Sequence, residues 1–422
     1  MWKIYEDLPA HYVRIKSFMN NGTQLTGKKL WKKNSSFGVS FLEKCLWRKS
    51  MNTGKTLKEN NTISETEELN EMEEFLGMKM DEQKERMYEC SCKMDKQESN
   101  IERWRRFYET YGAKMIHEKF PEYEERIAVG MVGEGSDCFE CDDEISIEKD
   151  YGMGICMWLC EEDYNKIGKF LQKECDILFD QFEKMCGRNF FTQRRVSTIN
   201  FFYNQILGTG MWYKDTWDFN YYRIADEQFA TAVNGVVFRD DLGVFLGIRN
   251  KILEYYPDDI WKMKLSDKLR DFTKYVQKDY PRMMARKDYV TADLCIAKGV
   301  EIAMDLVFLL NKTYAPYYKW KRKVMGRLEK LQIVGEKLEQ IALLHNQKDA
   351  WKEEVYCSDT PNRKDKYVAY FDEIADAIAD EMQKQGLISK KQNMDFGLYS
   401  LEIAMLRVTE YLAKQNNSSN EN

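Results

Sequence analysis

Two short apolar runs enclose an acidic loop in the middle of the chain, and no other feature constrains the fold as strongly. Residues 127–132 form the first run and residues 154–159 the second. Apolar runs of this length between polar segments are typical of buried strands. Residues 195–199 contain β-branched side chains and predict a third strand. Residues 121–243 are therefore expected to contain a sheet mixed with helices.

Helical patterns occupy the chain on both sides of this core. Ser99 and Glu102 have the spacing of a capping box at the start of the first pattern. Apolar side chains then recur every three or four residues, as in helices that pack through one face. The three stripes are Trp104, Phe107, Tyr108, Tyr111 and Met115, then Val324, Leu328, Leu331, Val334, Leu338, Ile341 and Leu344, then Val368, Phe371, Ile374, Ile378 and Met382.

The length of the chain predicts more than one domain. A chain of 422 residues exceeds the size at which one hydrophobic core keeps growing. We expect an α+β fold in which helical regions flank the sheet. The expected parts are a helical N-terminal region 1–118 with a linker at about 50–65, a sheet domain 119–245, a helical-bundle domain 246–415 and a disordered tail 416–422.

Charge and hydropathy exclude some classes of partner. The formal net charge of −6 gives no reason to expect nucleic acid, because proteins that bind phosphate backbones usually carry a basic excess. No run of 18 apolar residues is present, and the N-terminus lacks the apolar core of a signal peptide. We therefore expect a cytoplasmic protein that does not associate with membranes.

Acidic residues are concentrated in the loop between the first two apolar runs. Residues 134–150 contain eight acids and one lysine. Crowded like charges destabilise a fold unless a cation or many amides neutralise them. A solvated loop is the simpler interpretation of such a run. The position between two buried strands favours a binding site instead, as does the spacing of Gly135-Ser136 and, after eleven residues, Glu148 and Asp150.

The residue types in this loop match the requirements of phosphate chemistry. A glycine-serine turn lets backbone amides and a hydroxyl approach phosphate oxygens closely. Two carboxylates at positions i and i+2 of an extended segment point to the same side and can hold Mg²⁺. Such an ion binds a triphosphate and stabilises the charge that develops as the α-phosphorus is attacked. The pattern therefore predicts nucleotidyl transfer.

The Gly135-Ser136 turn, its spacer and the acid-x-acid pair resemble the nucleotidyltransferase superfamily, which includes aminoglycoside nucleotidyltransferases. A closer resemblance is to a bacterial family of unknown function assigned to that superfamily, whose loop has the form Gly-Ser-Glu-Cys-Phe-Gly-Phe-Asp-Asp-Glu. Segments 104–120, 232–240, 255–261 and 314–320 resemble the same family, so that the resemblance spans roughly residues 100–410. It implies a nucleotidyltransferase-like mixed sheet.

The resemblance also implies an activity. The protein would move a nucleoside monophosphate from a nucleoside triphosphate, with ATP expected, to a hydroxyl of a small-molecule acceptor, with Mg²⁺ and release of pyrophosphate. Glu148 and Asp150 would be the catalytic, metal-binding carboxylates. Gly135 and Ser136 would bind the nucleotide together with Tyr318 and Lys319, which lie in a segment rich in aromatic residues.

Two departures from the family pattern affect the expected chemistry. Lys149 stands between the two carboxylates where the family has histidine, and it could contact a phosphate or replace the charge of the metal. No acid lies on the predicted strand that usually carries a third carboxylate; Asp142 or Asp143 could substitute. The basic run 321–323 is expected to form a solvated face.

Two other functions stay open at the level of sequence. Lys149 and the absent third acid are compatible with a non-catalytic nucleotide sensor on the same fold. Residues 1–100, which the loop does not explain, are compatible with a protein-modifying or toxin–antitoxin type of protein that holds a partner through this region.

Overall fold

The computed structural model describes residues 99–143, 154–186, 195–208, 221, 223–354, 356–357, 360–389 and 396–420. All of them belong to one compact unit, Met80–Asn422. The predicted N-terminal helical region is thus described only from residue 99, and its predicted linker at 50–65 lies outside the described residues.

A four-stranded mixed sheet forms at the predicted core. Its strands are β1 (Ala128–Met131), β2 (Cys156–Leu159), β3 (Val196–Thr198) and β4 (Val236–Arg239), in the spatial order β3-β2-β1-β4. β1 is antiparallel to β2 and to β4, whereas β2 is parallel to β3. The first three strands lie within the three predicted segments, so the α+β class is confirmed.

Helices cover both faces of the sheet. The described α-helices are α1 (Asn100–Phe107), α2 (Ala113–Lys119), α3 (Glu161–Cys186), α4 (Ile199–Leu207), α5 (Asp226–Val233), α6 (Val244–Leu253), α7 (Asp258–Phe272), α8 (Tyr280–Arg286), α9 (Tyr289–Leu310), α10 (Tyr318–Met325), α11 (Gln332–Ala342), α12 (Lys366–Lys384) and α13 (Phe396–Asn420). Within this part of the chain, none of them has the length and hydropathy needed to cross a membrane.

Alternation along the strands divides the apolar side chains between two cores. Val129 and Met157 face one side, where they join the aromatic residues of α1 and α3. Ala128 and Trp158 face the other side, where a larger core extends through the helices that follow β4. Successive strand residues point to opposite faces of a sheet, so two short strands serve both cores. In the loop after β1, Cys138 belongs to the first core and Phe139 packs against the second.

The predicted helical stripes are mostly confirmed. The capping box at Ser99 forms, and the first stripe is buried except for the half-buried Tyr111. A π-helical segment, Tyr108–Gly112, joins α1 to α2, so the chain continues helically through Gly112. The third stripe is buried along α12.

Two helix boundaries differ from the expected ones. The stripe from 324 to 344 is divided between α10 and α11, because the chain turns after Gly326 and Leu331 adopts a left-handed conformation with φ of 66°. α13 continues through Asn420, into the tail expected to be disordered. Extending an existing helix fixes one residue for each hydrogen bond gained, which is far easier than nucleating a new one.

Candidate functional site

The glycine-serine loop leaves β1 in a conformation that only glycine adopts readily. Gly133 and Gly135 have φ of 110° and 121°. The carbonyl of Ser136 then accepts the N–H of Cys141 at 2.8 Å, which closes the loop around a short 3-10 turn, Asp137–Phe139. The backbone of Gly135 makes no hydrogen bond within the described residues, and this residue is partly exposed. Its amide is therefore accessible to a ligand.

Asn234 fastens the start of this loop to the turn that precedes β4. Its side-chain Nδ2 donates to the carbonyl of Gly133 at 2.7 Å, and its Oδ1 accepts the Gly133 N–H at 2.8 Å. Both backbone groups and the amide are buried. The Asn234 side chain thus satisfies two buried backbone groups that no neighbouring strand pairs with beyond the end of β1.

Replacing Asn234 by alanine is expected to destabilise the protein by about 2–4 kcal/mol, because two buried backbone groups of Gly133 lose their partners. The midpoint of urea unfolding measures this change. Asn250→Ala, on the exposed side of α6, is the matched control and is expected to change stability by about 0.5 kcal/mol or less. Equal midpoints for the two variants would contradict the role assigned to Asn234.

A half-buried arginine supports the same turn from α6. Arg249 donates to the carbonyl of Asn234 at 2.7 Å and to that of Gly235 at 3.0 Å. Burial lowers the pKa of Arg249, and no carboxylate pairs with it within the described residues. Gly235 in turn donates its N–H to the carbonyl of Cys138 at 2.8 Å. The 234–235 turn therefore binds the loop at two points, Gly133 and Cys138.

The start of α1 provides a second anchor. Asn100 donates its backbone N–H to Asp142 Oδ2 at 2.8 Å and its side-chain Nδ2 to Asp137 Oδ2 at 2.9 Å. Asp137 is fully buried and also accepts the N–H of Cys138 at 2.9 Å. Asp142, one of the two residues suggested as a third metal carboxylate, thus contacts the beginning of α1.

The helices from α6 onward, here called the helical half, provide a third anchor and place positive charge beside the loop. Arg327 donates to the carbonyls of Phe139 and Glu140 at 2.8 and 2.6 Å and lies 3.4 Å from the Glu140 carboxylate. Burial raises the pKa of the Cys141 thiol, and the nearby charges of Lys323 and Arg327 partly oppose that shift. The end of α10 is therefore close to Glu140 and Cys141 of the acidic loop.

The structure places part of the predicted site. Gly135 is partly exposed, whereas Ser136 is fully buried in the same turn. Tyr318 and Lys319 are exposed at the first two positions of α10. The predicted metal ligands Glu148 and Asp150, with Lys149 between them, lie outside the described residues. Elsewhere in the described ranges, no group of three acidic, histidine or cysteine side chains could hold a metal ion.

Sequence reasoning missed the residues that organise the loop. Asn234 and Arg249 act on backbone groups, and Asn234 lies 101 positions from its partner, Gly133. Neither forms a motif with its sequence neighbours. The one available signal was the segment 232–240, which appeared in the family resemblance although nothing in its composition indicated a role.

These features define an α+β protein whose glycine-serine loop is hydrogen-bonded to the turn before β4, to the start of α1 and to Arg327. A family model described as "Domain of unknown function (DUF4037)" matches residues 221–321, about a quarter of the chain. The matched stretch contains Asn234, Gly235 and Arg249 but not the loop that they hold. No curated protein and no solved structure matches the chain.

Proposed function

We propose that the protein transfers a nucleoside monophosphate from a nucleoside triphosphate to a hydroxyl of a small molecule, with Mg²⁺ and release of pyrophosphate, on a nucleotidyltransferase-like fold. One observation carries the proposal: residues 133–142, which follow β1, are held by hydrogen bonds at three places and leave the amide of Gly135 without a partner within the described residues. Donors that are fixed before the ligand arrives stabilise developing charge best.

The phosphate contacts divide between two residues of the turn. The amide of Gly135 would donate to a phosphate oxygen directly. Ser136 is fully buried, so its hydroxyl would reach a phosphate only after a covering residue moves on binding. In the same proposal Glu148 and Asp150 would hold Mg²⁺, which supplies the charge stabilisation at the α-phosphorus.

The cations of α10 have different roles in this proposal. The prediction of a solvated face is wrong for Lys321, which is buried and lies 2.7 Å from Asp305; Arg322 is paired with Glu339. Lys323 is exposed, has no ion pair within the described residues and lies close enough to Cys141 to affect its pKa. It would meet the triphosphate from the helical side, with Lys319 one helical turn earlier.

Binding of α,β-methylene-ATP, measured by calorimetry with and without Mg²⁺, tests the proposal without knowledge of the acceptor. We expect binding in the micromolar to millimolar range that requires Mg²⁺, and a loss of roughly tenfold in Lys323→Met and Lys319→Met because each removes one cation from the phosphates. Lys278→Met, an exposed lysine on another helical segment, is the control.

Three outcomes are informative. Absence of binding at millimolar nucleotide, with ATP, GTP, CTP and UTP also tested, would overturn the proposal. Binding without pyrophosphate release from any triphosphate would identify a nucleotide sensor instead. Unchanged affinity in Lys323→Met and Lys319→Met would show that α10 does not face the phosphates.

A further inference from the structure

A pocket of about 290 Å³ lies between residues Cys138–Glu140 of the same loop and the helical half. Its remaining walls come from the end of α5 and the 234–235 turn, from the end of α6 with Tyr255, from the segment between α9 and α10, and from the end of α10 with Arg327. This volume is at the lower end of the range for small-molecule sites. Gly135, Ser136, Tyr318 and Lys319, the described residues of the predicted nucleotide site, do not line it.

Strained backbone is concentrated around this pocket. Five non-glycine residues with positive φ occur among the described residues, and three of them line it: Glu140 at 52°, Tyr255 at 75° and Lys312 at 51°. A left-handed conformation strains a non-glycine residue, because its Cβ crowds the following carbonyl oxygen. Side chains retained at such cost cluster where function requires them.

Lys312 illustrates the point. It follows the end of α9, where its N–H donates to Leu309 and that of Thr313 donates to Phe308, the two hydrogen bonds of a Schellman motif. Glycine is the usual residue at this position. Lysine instead places its ammonium 4.1 Å from the centre of the Trp261 ring, with no carboxylate partner within the described residues.

The other polar groups of the wall are largely engaged. The Tyr314 hydroxyl donates to the carbonyl of Ile252 at 3.0 Å, and Arg327 is held by Glu140. The hydroxyl of Tyr255 is buried and has no hydrogen-bond partner among the described residues. The apolar part of the wall comes from Phe139, Ala230, Val233, Leu253, Pro316 and Val324.

We propose that this pocket binds a small organic anion with an apolar or aromatic body, such as a carboxylate or a phosphate monoester. The anion would pair with Lys312, and the body would lie against the apolar wall. Because Cys138–Glu140 also belongs to the glycine-serine loop, the ligand would be an acceptor or an effector that lies next to that loop. The proposal does not depend on nucleotidyl transfer.

2-Naphthoate and its neutral analogue 2-naphthamide are suitable probes, since they differ in charge but little in shape. Both are titrated by fluorescence against the full chain. We expect the carboxylate to bind more tightly, and Lys312→Met to weaken naphthoate roughly five- to tenfold while naphthamide changes by about twofold or less. Lys274→Met is the matched control, because Lys274 is also exposed and lies 4.8 Å from the centre of the Tyr275 ring.

A second pair of variants tests the location. Leu253→Trp would fill the pocket from the end of α6 and is expected to weaken both probes at least about tenfold. Leu343→Trp, at the end of α11, introduces the same side chain at an exposed position outside the pocket and should change neither. Leu253 is 51% exposed, so this change leaves the core intact.

Several results would overturn the proposal. They are the absence of naphthoate binding at millimolar concentration, equal affinity for the two probes, and equal effects of a variant and its control. Competition between naphthoate and α,β-methylene-ATP would also overturn the assignment of a separate site. Naphthoate binding in a protein that binds no nucleotide would support the proposed pocket and contradict only the proposed nucleotidyl transfer.

Discussion

Gly235→Ala is expected to lower the free energy of unfolding by about 4 kcal/mol or more, or to prevent folding, because the added methyl group has no space. A Cβ at this position would lie 1.9 Å from the carbonyl oxygen of Met131 and 3.2 Å from Val132 Cα. Both neighbours are backbone atoms at the end of β1, so they cannot turn aside as a side chain could. The backbone φ of 58° adds strain for any residue with a Cβ.

Gly243→Ala separates the two causes. Gly243 has a similar φ of 67°, but nothing lies within 4 Å of the position that an added methyl group would occupy, so only the conformational cost of about 1–2 kcal/mol applies. The thermal midpoint and the soluble yield of the two variants measure the difference. Comparable losses in both would show that β1 can shift away from the 234–235 turn.

Glu148→Gln combined with Asp150→Asn is expected to reduce pyrophosphate release at least about a thousandfold, because a bound metal ion supplies several kcal/mol of transition-state stabilisation. The amides preserve size and remove the two charges that would hold Mg²⁺. The measurement is pyrophosphate release from each triphosphate, with a panel of hydroxylated small molecules as acceptors.

A second double variant controls for the change in net charge. Glu122→Gln combined with Glu125→Gln removes two charges from the exposed 3-10 segment Pro121–Arg126 before β1. It should leave turnover within about twofold, because water and salt screen exposed charges. Turnover that persists in the first double variant would assign the metal, or the catalysis, to other residues.

Burial on both faces made β1 and β2 predictable from sequence, and β-branched residues indicated the edge strand β3. β1 and β2 appear as continuous apolar runs because each of their faces meets a different core. β4 gives no such signal: all four of its residues are only partly buried, and it pairs with a single neighbour at the edge of the sheet. Periodicity reports burial, so an edge strand of four residues escapes it.

The glycine-serine turn was predictable from sequence, but the side chains that support it were not. Gly135 and Ser136 are recognisable as a turn, because Gly135 has a φ of 121° that glycine adopts readily. The hydrogen bonds from Asn234, Arg249 and Arg327 go to backbone carbonyls and amides, which every residue carries. Such contacts do not require particular residue types in the loop, so they cannot be identified from the sequence and are seen only in the structure.

The hydrogen bonds from Asn100 to Asp137 and Asp142 determine where the N-terminus of the protein can be truncated. A truncated protein that starts at residue 102 would lack both hydrogen bonds and would no longer hold Asp137 and Asp142, even though it retains every described strand. A version that starts at residue 97 would keep them. A shortened protein that fails to bind nucleotide is therefore informative only if Asn100 and its cap at Ser99 are still present.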